Sequence, residues 1–460
     1  MKKYVYLFIG CWVAILMASC DNYLDVKPKG KIIPVTAEDF STIIHYWIDE
    51  IEKGRDDVIV PQCEKILALE MFADDLNGTL ASNYIPGVYV GTAINTNQSD
   101  YKTLFGVIKD CNMIIGHMED TESELSRVLL GTAWGIRTIC YYNLMQRYCE
   151  PYDPVKAGQT LGLPLVNEFD MEAKPARSTL AETATFIKEG FRKAISYQMK
   201  NEDFLFTVPV IKAYAARFYF WIQEWNQATA FAKEALDEYP MLEAEEYVEG
   251  INQKTSKMHN VIVRSMTEDD EIGIMSYSVA QADIKSRPAD KNLVNLFDIQ
   301  PNDVRAQCNY DGKRLATKMV TGKFRSEELC LILAESYAHL QKEPEALYYL
   351  NLLRSKRITK DYTPYTMENL PDVYAQHIQT DATGKPLTRL MSAILCERRK
   401  ELFLEGDRWF ELKRNGRPTF WVAANGKKYV TEPYLYTFPL PKADVRLFPG
   451  LIVQNPGYLE

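Results

Sequence analysis

Two acidic side chains one helical turn apart, Glu401 and Glu405, stand in the stretch MSAILCERRKELFLEGDRWFELKRNG with Arg398 and Trp409. Paired carboxyl groups are the tools of a glycoside hydrolase, but they must flank a sugar at a separation of about 5 Å or more. Stacked on one helix beside an arginine, they suit a different task. Met391, Ile394, Leu395, Leu402 and Trp409 recur at helical spacing, and Arg398 and Glu405 fall on that same apolar face. Charges on a buried face must be paired. The spacing therefore predicts an internal clamp in which Arg398 pairs with Glu401 and Glu405 beside Trp409. Gly406 interrupts the pattern, and Asn415-Gly416 followed by Pro418 ends it.

Other catalytic chemistry has little to stand on. The five histidines (His45, His117, His259, His339 and His377) are isolated, and no Cys-x-x-Cys pair occurs, so no zinc-ligand spacing and no cofactor motif is present. Cys63, Cys111, Cys140, Cys149, Cys308, Cys330 and Cys396 are scattered as small buried hydrophobes would be. There is no Walker loop, dinucleotide fingerprint or Gly-x-Ser-x-Gly elbow. With 47% hydrophobic and 25% charged residues and a formal charge of −9, the chain is globular and acidic, a poor candidate for nucleic acid.

The first residues read as an export signal. Lys2-Lys3, then a mostly apolar run from Tyr4 to Ala18, make a signal peptide over 1–19, too short and too early for a membrane span. It ends in Leu16-Met17-Ala18-Ser19-Cys20, small residues before a cysteine as in a lipobox. Cys20 is thus expected to be acylated and to hold the mature chain to a membrane through several acyl chains, with 20–35 as tether.

The elements that must position the rest are helices. Thr36 with Asp39 forms a capping box, Val35 and Phe40 a staple, and Phe40, Ile44, Trp47, Ile48 and Ile51 a stripe. A second helix covers Gln62 to Phe72, a long one Leu125 to Tyr148, and another follows the cap at Ser178-Thr179. Ala216, Tyr219 and Ala228 recur as Ala334, Tyr337 and Ala346 with identical gaps, close to the tetratricopeptide pattern of two helices crossing at small residues. Two copies are too few for a free-standing solenoid, so they must pack on other helices. Asn260 to Met266 and Ile272 to Val279 read as strands. The predicted fold is mainly helical: one domain over 36–460, with tetratricopeptide-like helix pairs as frame and an irregular lobe from about 73–97, 241–324 and 357–387.

ERRKELFLEGDRWFELKR closely resembles the C-terminal signature of the SusD/RagB family, and Phe438 to Tyr458, FPLPKADVRLFPGLIVQNPGY, resembles its ending. Asp444 stands where glutamate is usual, and Phe448-Pro449 where Asn-Pro is usual. DNYLDVKP after Cys20 and TAWGIRTICYYNLMQRY resemble further family segments. The resemblance implies a non-catalytic, lipid-anchored protein of the outer-membrane surface. It would bind oligosaccharides and act as a hinged lid on a SusC-like TonB-dependent transporter. A peptide-binding member of the same family and a surface glycoside hydrolase remain as alternatives.

Under that resemblance, sugar faces should stack on aromatic rings while Asp and Asn read their hydroxyls. Trp47, Trp134, Trp221, Trp225 and Trp409 fall on predicted helices and Trp421 lies near the C-terminal signature, which leaves tyrosine for the loops. The expected ligand-binding set is Asp75, Asn77, Asn83, Tyr84, Tyr89 and Asn95, with Tyr277 and Tyr310 from the later lobe. The competing expectation is that these tyrosines pack the loop or face the transporter.

Overall fold

Thr36 and Asp39 exchange side-chain and backbone hydrogen bonds, each 3.3 Å, and start helix α1 (Ala37–Glu52) as the sequence predicts. Its stripe of Phe40, Ile44, Ile48 and Ile51 is buried. A computed structural model describes residues 34, 36–56, 58–76, 99–170, 172–285, 287–298, 300–374, 377–424 and 427–458. The leader, Cys20, Val35 and nearly all of the tether lie outside them. Helix α1 ends at Glu52, and the chain turns away at Gly54, whose φ of +67° and proximity to Met266 leave no room for a side chain.

Helix α2 (Cys63–Phe72) is followed by α3 (Ser99–His117) and α4 (Glu124–Tyr148), which pack as a hairpin. A two-stranded ribbon, β1 (Leu161–Pro164) with β2 (Arg177–Thr179), leads into α5 (Leu180–Ser196). Thr179 and Glu182 form the capping box of α5. Two further hairpins carry the repeat: α6 (Val208–Trp221) with α7 (Trp225–Glu238), and, later in the chain, Ser326–His339 with Glu343–Ser355. Ala216, Ala228, Ala334 and Ala346 are fully buried where these helices cross. Tyr219 stacks on Phe231 (5.4 Å between centroids, 13°) and Tyr337 on Tyr349 (5.8 Å, 5°), so the two copies agree in side-chain geometry.

Between the copies lie α8 (Ala244–Gly250), β3 (Val261–Arg264), α9 (Glu271–Lys285), α10 (Lys291–Val294), α11 (Val304–Asn309) and β4 (Lys323–Arg325). Strands β3 and β4 pair antiparallel, Val261 opposite Arg325. Residues 272–279, expected as a strand, belong to helix α9. Asp270 accepts from the Ile272 and Gly273 backbone N–H groups at 3.0 and 3.1 Å and starts the helix, and Gly273 lets it approach the Lys53 carbonyl closely.

The later repeat helices are α12 (Ser326–His339) and α13 (Glu343–Ser355). After them come α14 (Arg389–Glu401), α15 (Arg408–Arg414), the hairpin β5 (Phe420–Ala424) with β6 (Lys427–Thr431), and α16 (Lys442–Leu447). Residues 357–387 form no helix or named strand among those described. Between α14 and α15 the chain kinks, with Leu404 and Gly406 in the left-handed region (φ +61° and +78°). One large apolar cluster runs through the helical frame. A second joins α2, α9 and the loops around 289–320 to Phe403 and Leu404. The molecule is mainly helical, a helix-pair frame with a second lobe.

Candidate functional site

The kink between α14 and α15 turns one charged helix into two that face different neighbours. Glu401 is fully buried and does not pair with Arg398. It accepts from Arg325 (2.7 Å), Arg357 (3.1 Å) and Arg305 (3.2 Å), brought by β4, the end of the second repeat and α11. Glu405 accepts from Arg325 at 3.0 Å and pairs with Lys318 at 2.7 Å. Arg398 pairs instead with Asp407 at 2.8 Å and lies 3.6 Å from Glu328. The expected clamp is thus replaced by a wider one, because the helix stops at Glu401 and Glu405 falls in the bend instead of a turn further along the same face. Trp409 is buried, stacked on Tyr436 (4.5 Å, 21°) and edge-on to Phe72.

This arrangement keeps both carboxyl groups charged. Burial would raise their pKa, but Arg357, Arg325 and Arg305 hold Glu401 well below the usual carboxylate range. Arg325, Lys318 and Lys323 likewise outweigh burial and hold Glu405 at about 2. A group that never carries a proton near neutrality has none to donate. The pair is structural.

The acidic turn after α2 is also turned inward. Asp74 takes two hydrogen bonds from Arg408 (2.7 and 2.8 Å), and Asp75 takes one from Arg399 at 2.5 Å. Asp75 is 1% exposed, so its carboxylate is not offered to a ligand at the surface, contrary to the expectation from its loop position. Its carbonyl accepts from Asp290 N–H at 2.8 Å and Leu76 bridges Ala289, which fixes the stem from which residues 77–98 depart. Asn77, Asn83, Tyr84, Tyr89 and Asn95 lie outside the described residues.

The two remaining tyrosines belong to the lobe that holds this stem. Tyr277 on α9 and Tyr310 after α11 are half-buried against the second apolar cluster, Tyr310 edge-on to Phe297 (5.9 Å, 73°). Tyr374 packs on the same cluster and donates its hydroxyl to the Asn292 carbonyl at 3.1 Å. Sequence reading counts residues 357–387 into the irregular lobe but does not single out Tyr374, because nothing local shows which tyrosine of that stretch meets the cluster. Helix α3 begins beside an apolar cleft of about 490 Å³ lined by Tyr101, Phe105, Pro164, Val166, Phe448 and Ile452. Trp421, opposite Val430 on the β5–β6 hairpin, is 54% exposed and lies outside the loops, which hold no tryptophan as expected. Its signal was its place outside every predicted helix. Among the described residues no cluster of His, Cys, Asp or Glu is arranged to hold a metal, and no helix is long and apolar enough to cross a membrane.

A family model described as the SusD family matches residues 317–458, and a second, described as "Starch-binding associating with outer membrane", matches 22–220. The chain belongs to the SusD/RagB family. Solved structures agree on the SusD fold. A SusD superfamily protein from Bacteroides thetaiotaomicron VPI-5482 is similar at 19% identity with a TM-score of 0.71, over 92% of this chain and 100% of that one. A SusD-like carbohydrate binding protein from Bacteroides vulgatus ATCC 8482 gives 16% and 0.65 over 90% and 96%. A laminarin binding SusD-like protein gives 15% and 0.60 over 92% and 99%. No curated protein matches the chain. The kinked α14–α15 corner and the inward-turned Asp74 and Asp75 are therefore features of a SusD-like frame, and the lobe carrying Tyr277, Tyr310 and Tyr374 is built upon it.

Proposed function

We propose that this chain is a cell-surface lipoprotein, tethered through Cys20, that binds a glycan and delivers it to a SusC-like TonB-dependent transporter as a non-catalytic lid. The match of residues 22–220 to a family model described as starch-binding and outer-membrane-associated carries the reading. The carbohydrate binding and laminarin binding proteins of like fold support it. So does the chemistry of the surface. Half-buried tyrosines held by packing present rings at little entropic cost, and the exposed face of Trp421 adds a stacking surface. The ligand contacts are assigned to Tyr277, Tyr310, Tyr374 and Trp421, together with Asn77, Asn83, Tyr84, Tyr89 and Asn95 of the neighbouring stretch. The buried, permanently charged Glu401 and Glu405 take no part.

The test is calorimetric titration of the mature chain with soluble starch and laminarin, alongside a peptide library. Binding to a glucan, weakened by about 1–3 kcal/mol in Trp421→Ala with unchanged thermal stability, is the expected outcome. Peptide binding with no response to any glycan would sink the carbohydrate reading. Release of new reducing ends during incubation would sink the non-catalytic one.

A further inference from the structure

Behind the corner between α14 and α15 lies a cavity of about 120 Å³ whose charges do not balance. Its lining carries the cations Arg147, Arg217, Lys323, Arg398 and Arg414 and the acids Glu328, Glu405, Asp407 and Glu411. Every acid already has a cation. Arg217 forks onto Glu328, Arg398 onto Asp407, Arg325 and Lys318 hold Glu405, and Arg408 holds Glu411 at 2.6 Å. Arg414 is taken by Glu335.

What remains is a surplus of donors. Arg147, 5% exposed on the last turn of α4, makes no ion pair among the described residues, and its Nη1 is buried without a hydrogen-bond partner. Arg398 Nη1 and Trp221 Nε1 are orphaned in the same way, and Lys323 comes no nearer than 4.0 Å to Glu405. Against them the lining sets one unpartnered carboxylate oxygen, Glu411 Oε1. Burial lifts that carboxyl group to about 7, so near neutrality it can carry a proton and become a donor itself. Buried guanidinium without a counter-charge is costly, and water fills hydrogen bonds without supplying charge.

We propose that this cavity binds one small monovalent inorganic anion of the chloride class, held by Arg147, Arg398 Nη1 and the Trp221 N–H, with Lys323 alongside. The volume admits a single small ion with a few waters and excludes a sugar ring. Apolar walls from Ile66, Leu69 and Phe410 favour an ion that sheds its hydration readily. The ion supplies the charge that the interior lacks where α4, α6, α14 and α15 converge.

Crystals of the mature chain soaked in sodium bromide test this directly. An anomalous peak inside the cavity, within hydrogen-bonding reach of Arg147, is expected; peaks at surface positions alone, or none, would overturn the proposal. In solution the unfolding temperature should rise by about 1–2 °C per tenfold chloride at constant ionic strength set with gluconate. Arg147→Gln should flatten that rise. Equal slopes in the two proteins would refute the site, and should Arg147→Gln fail to fold, the bromide experiment on the unsubstituted chain decides alone.

Discussion

The Glu70 side chain lies fully buried on α2 and, among the described residues, takes one hydrogen bond, from the Gly406 backbone N–H at 2.7 Å, and touches no cation. Burial and then the neighbouring Asp75 raise its pKa to about 8, with Asp407 adding to the rise while the Gly406 N–H and Lys318 oppose it. The native state therefore keeps a proton that the unfolded chain releases above about pH 4.5. Stability from this group is complete below that pH and is lost as pH rises through 8. Glu70→Gln should remove the loss and leave the variant more stable by roughly 2–4 kcal/mol at pH 9, read from urea midpoints between pH 4 and 9. Parallel curves for the two proteins would show Glu70 to be solvated. Glu401 has the opposite sign. Its depressed pKa contributes stability above the unfolded value that disappears as pH falls through the folded one. Glu401→Gln should cost about 3–5 kcal/mol at pH 7 by stranding three guanidinium groups, and a loss under about 1 kcal/mol would contradict the buried network. The sequence shows that these charges belong inside, because they interrupt an apolar stripe. It cannot show their partners, since Arg357, Arg325 and Arg305 lie 44, 76 and 96 positions from Glu401.

At the scale of elements, local chemistry was legible wherever it closes within a few residues. The caps at Thr36 and Thr179 and the two alanine-tyrosine hairpins are of this kind. Helix α9 was not. Its β-branched residues and the alternation from Ile272 to Ile274 imitate a strand, and the deciding signals are the Asp270 cap and the packing of Gly273 against Lys53. The hairpins also share a turn that periodicity does not reveal. Gln223 (φ +63°) and Gln341 (φ +59°) occupy matching left-handed positions, closed by Glu224 N–H to the Tyr219 carbonyl and Lys342 N–H to the Tyr337 carbonyl, both 2.9 Å. Gln341 is exposed and Gln341→Gly should stabilise by about 1 kcal/mol, because glycine carries no steric penalty there. Gln223 differs: its amide donates to the carbonyls of Tyr152 and Ala382 at 2.8 and 2.9 Å, so Gln223→Gly should gain nothing or lose stability. Equal thermal shifts in the two variants would contradict this account.

For the molecule as a whole, the frame was legible, and the surface proposed for the ligand only in part. Tyr277 and Tyr310 were named by type and both pack in the second lobe, Asp75 was misplaced because its loop position concealed Arg399, and Tyr374 on the same cluster was not named. If Cys20 is the anchor, Cys20→Ala should move the protein from the membrane fraction to the medium without changing its melting temperature, and unaltered membrane retention and lipid labelling would remove the anchor from the model. The long reach of the internal pairs has a further consequence, one of timing. Asp74, Asp75 and Glu70 meet Arg408, Arg399 and the Gly406 N–H across 334, 324 and 336 positions, and the carbonyls ending α4 receive Lys413 Nζ across 264. A chain made from its N-terminal side onward holds none of these partners until α14 and α15 have been added. Contacts so distant in sequence make closure late and slow. The same residues that lock the finished protein thus leave the growing one an open thread.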